Sequence, residues 1–389
     1  MTERVTTFAI AQTRLVPHTF NNAQRTMRLI VPNNIEGYAL QIRLSNRFGS
    51  VPVWIGNATV AICDDKDTPN MDTMRTLTVN GDSNFAIVPQ KTVYSDVIPL
   101  EVKPGQWIAI SLYYPGSAKV ESGNCVGNFG QRSVKGDFCQ QQQLSAAKLW
   151  TQLSHTVVPW DASSAITTVD GVLVHTKAQV SHRVVATFGD SIMQQGTWTT
   201  PFTAYLHKKY PGEISLCNMG IGGNRLLHDA PPLVNGNYGI QGMERYKWDL
   251  YDIEGLTHVI FCIGTNDLGL PGKEGAPEEE LITPQEYQTA VTAFVADMHS
   301  RGVKVYGATL LPRVLNLLYT QQRELLRQEI NNWIKTCGIF DAVLDFEKVV
   351  QAEDGEAGMK KEYDLPDGLH PNLAGGKAIA DSIDLELFA

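Results

Sequence analysis

Four short blocks hold residues whose types and spacing suit acyl transfer. They are FGDSIMQQG (188–196), NMGIGGNR (218–225), GTND (264–267) and DGLHPN (367–372). A serine hydroxyl is a poor nucleophile until a base takes its proton. Ser191 supplies the hydroxyl and His370 the base. A histidine needs a partner to fix its tautomer and stabilise its cation, and a carboxylate does both. Asp367 stands three residues before His370 in a Pro-Asp-Gly turn, where a short loop brings the two side chains alongside each other. The tetrahedral intermediate of acyl transfer carries an oxyanion that needs donors already in place. The backbone N–H groups of Ser191 and Gly223 and the side-chain amide of Asn266 are the donors on offer.

Each residue also has a purely structural reading. Ser191 is a candidate N-cap, because an apolar strand feeds into it and a helix starts there. Asn266 could close a strand in an Asx-turn, and Gly223 could serve a positive φ. Asp190 and Asp267 read as loop anchors or helix caps, and Arg225 as a solvated side chain. The remaining histidines (His18, His155, His175, His182, His207, His228, His258 and His299) show no metal-ligand spacing such as HExxH, so no metal or other cofactor is expected. Met193 stands where an α/β-hydrolase elbow needs its second glycine. Arg225 stands where a dinucleotide loop needs its last glycine, and no P-loop lysine pattern occurs.

The elements that must position these blocks change rhythm part-way along the chain. In YALQIRLSNRFG, Leu40, Ile42 and Leu44 share one face, and Gln41, Arg43 and Ser45 the other. Ile108, Ile110 and Leu112 repeat the pattern. Such alternation predicts half-buried antiparallel strands, separated by turns at Asn33-Asn34, Asn80-Gly81-Asp82, Pro104-Gly105 and Pro115-Gly116. Residues 1–180 therefore read as a β-sandwich domain, possibly jelly-roll-like, with a long Gln-, Ser- and Gly-rich stretch over 116–165 that suits a loop folded over the domain junction. From about 181 the pattern alternates strand and helix: strands at 183–188, 214–217, 258–263, 303–310 and 341–346, helices at 198–210, 284–300, 320–336 and 373–387. This predicts a parallel sheet with helices on both faces over 181–389. Ligands bind outside the carboxyl ends of strands in such sheets, and all four blocks fall at strand ends or just before the last helix.

The four blocks, in this order, resemble the SGNH (GDSL) hydrolase family: Ser191 in GDSI, Gly223 in NMGIGGNR, Asn266 in IGTND and His370 in DGLHPN. The resemblance covers about 182–389. It implies a flavodoxin-like α/β/α sandwich and metal-free hydrolysis of esters or thioesters. Carried over residue by residue, it makes Ser191 the nucleophile, Asp367 and His370 the rest of the triad, and Ser191, Gly223 and Asn266 the oxyanion hole. SNRFG (45–49) and VYSDVIPL (93–100) resemble the β-domain that precedes the hydrolase in some bacterial esterases. Several two-domain members remove acetyl groups from carbohydrates. The expectation is an esterase for short, acetyl-like groups on a sugar, since no long apolar segment near the blocks would shelter a fatty acyl chain. The alternatives are a thioesterase, lysophospholipase or arylesterase with the same triad, or a non-catalytic carbohydrate-binding protein.

The partner that the resemblance implies is a small-molecule or oligosaccharide ester, and charge argues against the other classes. The formal net charge is −9 and no basic block occurs, which argues against nucleic acid and against a polybasic membrane site. No apolar run approaches the ~20 residues that span a bilayer, and MTERVTTFAIAQTR does not read as a signal peptide. The cysteines form no CxxC pair. Cys217 and Cys262 sit in apolar strand-like runs as core filler, and a Cys125–Cys139 bridge is the less favoured alternative to free thiols. A reduced, cytoplasmic protein is expected. No pattern sets an oligomeric state.

Overall fold

The computed structural model describes residues 2–15, 20–21, 23–65, 68–116, 119–124, 131–144, 166–177, 181–234, 236–315, 319–353 and 357–389. Cys125, His18 and His155 lie outside them, as does much of the 116–165 stretch. The chain divides into two compact units. One comprises Met1–Val184, Leu206–Cys217 and Ile253–Gly255, and the other Val185–Tyr205, Asn218–Asp252 and Leu256–Ala389.

The N-terminal region is antiparallel, with no α-helix among its described residues before 183. One sheet runs Thr2–Ala9, Val169–Lys177, Gly37–Ser45, Thr92–Tyr94, with Ile98–Val102 also paired to Gly37–Ser45. A second runs Gln131–Lys135, Arg25–Pro32, Trp107–Tyr114, Asn57–Cys63, Arg75–Thr76. This is the β-sandwich pattern expected. The strands are more deeply buried than their alternation predicts. Arg43 and Ser45 are as buried as Leu44, and Arg43 pairs with the buried Asp170 at 2.8 Å. In the second sheet Ser111 accepts a hydrogen bond from the buried Arg28, whose guanidinium also holds the carbonyls of Gln141 and Gln142. The polar faces are covered by segments distant in sequence, and their charges are satisfied inside. The SNRFG turn is tied by Asn46, whose amide reaches the carbonyls of Val51 and Ile87.

The second half of the chain builds a five-stranded sheet in the order Ile214–Gly220, Arg183–Gly189, Leu256–Cys262, Lys304–Ala308, Ala342–Leu344. The strands from Leu256 onward pair in parallel. Numbered along the chain, the order is 2-1-3-4-5. This is the flavodoxin-like winding, whose switch point lies between the first and third strands. Those two strands end at Gly189 and Cys262, so the Ser191 and Asn266 blocks emerge on either side of the crevice. Phe188, Phe261 and Phe294 pack together beneath it, at centroid distances of 4.7 to 6.1 Å.

Local signals set most helix bounds. Pro284–Ser300 starts with a capping box between Thr283 and Glu286, with Pro284 in its first turn. Thr320 caps Gln321–Thr336. The last helix, Leu373–Ser382, is shorter than predicted: Ile383 turns extended, and Asp384 caps a separate 3-10 turn over Leu385–Phe388. Gly242–Asp249 is a helix that the hydrophobic pattern does not mark, because its buried side includes Arg245 and Asp249.

Candidate active site

The strand Arg183–Gly189 stops at Asp190, and a single helical turn, Ser191–Gln194, follows. Asp190, not Ser191, is the N-cap, since its carboxylate accepts the Ile192 N–H at 3.0 Å. The Ser191 hydroxyl is thereby left to another partner, and Oγ lies 2.7 Å from His370 Nε2.

His370 is held by its own loop. Its Nδ1 lies 2.6 Å from Asp367 Oδ2, while Oδ1 of the same carboxylate accepts the N–H groups of Leu369 and His370 at 3.0 Å each. With Nδ1–H donating to the carboxylate, Nε2 is the lone-pair nitrogen that faces Ser191. Burial pushes the Asp367 carboxyl up, but the His370 hydrogen bond and charge and the two backbone donors outweigh it, and the group falls to about 2. It is therefore an anion across the working range of an esterase. The loop leads into the helix Leu373–Ser382, capped by Asn372. That helix packs closely on the end of the Ser191 loop, because a Cβ at Gly376 would overlap the Thr197 backbone.

The donors come from the two neighbouring blocks. Gly223 has φ +75°, and a side chain there would overlap the Tyr238 ring. Asn266 lies buried in the short helix Thr265–Gly269, and its amide donates to the Asn224 carbonyl at 3.1 Å. The next residue, Asp267, accepts the N–H groups of Leu226 and Leu227 at 2.7 and 3.0 Å. Asn266 and the Gly223–Asn224 turn are thus pinned to each other. Burial raises both Asp190 and Asp267 to about 6.

Two arginines have roles that the sequence does not signal. Arg225 is buried, not solvated. It pairs with Glu280 at 2.5 Å and donates to the Asp229 carbonyl. Arg245 is fully buried and gathers the site loops. It donates to Gly189 O, Met219 O and Asn224 Oδ1 at 2.8 to 3.0 Å, and to Asp249 at 2.6 Å. Its guanidinium lies 4.0 Å from the Phe188 ring centroid. No motif marks it, because its partners come from two strand ends and the loop that follows the second. Among the described residues no cluster of His, Cys, Asp or Glu could hold a metal ion, and no helix is long and apolar enough to cross a membrane.

Residues 187–378 match the model of the GDSL-like Lipase/Acylhydrolase family. This segment is a GDSL-like acylhydrolase domain. The match begins one residue before Phe188 and runs past His370, so it takes in all four blocks, and the protein is a carboxylic ester hydrolase. Among solved structures, a GDSL-like lipase from Bacteroides thetaiotaomicron is 16% identical, covering 54% of this chain and 90% of its own, with a TM-score of 0.39. The esterase EstA from Pseudoalteromonas sp. is 18% identical over 51% of this chain and 93% of its own, with a TM-score of 0.35. A carbohydrate acetylesterase family member from Sinorhizobium meliloti is 14% identical over 53% and 97%, with a TM-score of 0.39. No curated protein matches the chain.

Proposed function

We propose that the GDSL-like domain hydrolyses short acyl esters, acetyl foremost, on a carbohydrate, through a Ser191–His370–Asp367 triad. The observation that carries this reading is the unbroken hydrogen-bonded run from Ser191 Oγ through the imidazole to Asp367. His370 Nε2 takes the hydroxyl proton as Ser191 attacks the ester carbonyl, and Asp367 stabilises the imidazolium that forms. The proton then passes to the leaving alcohol, and a water activated by the same nitrogen releases the acid. The Ser191 and Gly223 N–H groups and the Asn266 amide receive the oxyanion. A side-chain amide has two N–H bonds. The one on the Asn224 carbonyl fixes the Asn266 plane and leaves the other for substrate.

The acetyl preference rests on the lack of a long apolar segment near the site blocks. The sugar rests on the resemblance of the 45–49 and 93–100 blocks to esterase β-domains. Acetate release from p-nitrophenyl acetate and from an acetylated oligosaccharide, beside Ser191→Ala, tests the reading. Both substrates should be cleaved by the wild type and neither by the variant. Asn266→Ala should lose roughly 10²–10³-fold in kcat. Full activity in Ser191→Ala sinks the triad, and faster octanoyl than acetyl turnover sinks the acyl preference.

A further inference from the structure

Around the short Asn266 helix stand two cations that form no ion pair with a carboxylate among the described residues. The Arg313 guanidinium lies against Gly269, the last residue of the Asn266 helix, where a Cβ would overlap it. The next residue, Val314, donates its N–H to the Gly368 carbonyl at 3.0 Å, so the same loop abuts the Asp367 turn. Arg313 is thus bracketed by the oxyanion block on one side and the triad loop on the other. The Tyr319 ring lies 4.5 Å from its guanidinium carbon.

Lys273 is the second. It follows the same short helix and lines a polar cavity of about 220 Å³ with Pro271, Glu278, Thr320, Gln322 and Arg323. Glu274 and Glu278 attract Lys273 without pairing with it, and each has a closer partner. Glu278 pairs with Arg323 at 2.6 Å, and Arg323 also holds the Leu268 and Pro271 carbonyls. Glu274 accepts from the Tyr238 hydroxyl at 3.3 Å.

An arginine that is partly desolvated and hydrogen-bonded to no carboxylate can still take one up. Burial lowers Arg313, against the opposing pull of Tyr319, Asp190 and Asp367, which places it within electrostatic reach of the nucleophile turn. Burial and the two neighbouring arginines bring Lys273 down to about 8.

We propose that Arg313 and Lys273 form an anion subsite of the catalytic domain, and that its ester substrate carries an anionic oxygen group (carboxylate, sulfate or phosphate). The planar Arg313 fork receives two oxygens of that group, and Lys273 adds a point charge from the cavity side. This deepens the esterase reading and rests on it for the substrate's ester.

The test compares acetylated glucose with acetylated glucuronate, glucose 6-sulfate and glucose 6-phosphate, all acetylated at the same hydroxyl. The readout is the ratio of kcat/KM for each anionic ester to that for the neutral one. The wild type should favour at least one anionic ester by roughly tenfold to hundredfold, as expected for hydrogen bonds to a charged group. The preferred member identifies the group. Arg313→Gln should bring the ratio towards one, and Lys273→Gln, on a more open side chain, should lower it if the first variant fails to fold. A wild-type ratio near one, or a ratio unchanged in both variants, overturns the subsite. Calorimetric binding of glucuronate, glucose 6-sulfate, glucose 6-phosphate and glucose to Ser191→Ala separates the two readings. Anion binding without wild-type turnover strikes the esterase reading alone, and binding of none of the anions strikes the subsite.

Discussion

Replacing Arg245 by Met should disable the site from beneath, without touching any residue that meets substrate. The methionine stem can still pack on the Phe188 ring, but the four acceptors of the guanidinium lose their donor. One of them is the Asp249 carboxylate, 5% exposed, and removing one partner of a buried ion pair costs about 3–5 kcal/mol. For a domain of this size that is a Tm drop of roughly 6–20 °C. The other three acceptors fix Gly189, Met219 and Asn224, that is, the root of the Ser191 turn and the loop that carries Gly223. A shift of about 1 Å there costs on the order of 10²-fold in rate. The double variant Arg245→Met/Asp249→Leu separates the two effects. It removes the stranded carboxylate, so Tm should rise relative to the single variant, while kcat per folded molecule stays low because the loops remain unheld. The assay is p-nitrophenyl acetate turnover, normalised to folded protein by circular dichroism. If the double variant regains kcat along with Tm, Arg245 is a stability element only and the positioning argument is wrong.

Two further expectations follow from the same geometry. Gly223→Ala combines a positive φ with overlap of the Tyr238 ring, so it should lose more than the ~1 kcal/mol of the backbone term and should lower kcat with it. Stability by denaturant titration at equal kcat would argue that Tyr238 moves aside freely. Asp190 and Asp267 are both raised to about 6 by burial, above the value of a solvated carboxyl near 4. In that window the folded state keeps protons that the unfolded state gives up. Their contribution is therefore full below about pH 4 and is lost as pH rises through about 6. Denaturant titrations between pH 4 and 7 should show a shallower decline in Asp190→Asn than in the wild type. The Asp367 shift has the opposite sign and acts lower, its contribution disappearing as pH falls from about 4 through 2.

What was legible in the sequence was local. Asp367 and His370 sit three residues apart in one turn, whose spacing already suggests their contact, and the helix Pro284–Ser300 carries both its cap and its proline in the text of the chain. What was not legible was set by residues far apart. Arg43 looks like an outward-facing strand residue until Asp170, on a distant strand, arrives to neutralise it. Arg225 looks solvated until Glu280 covers it. Arg245 belongs to a helix with little apolar character, and its meaning exists only once two strand ends and the loop after the second converge on it. Alternation and motif spacing report which face is apolar, and they are silent on whether a polar face finds a buried partner.

The most direct test of the central claim is covalent. Wild-type protein treated with an activated alkyl phosphonate, digested and mapped by mass spectrometry, should carry a single adduct on Ser191, with loss of esterase activity in step with labelling. His370→Ala should label far more slowly, because the hydroxyl loses the base 2.7 Å away. An adduct on another residue, or a Ser191 that stays unmodified while activity disappears, would contradict the account.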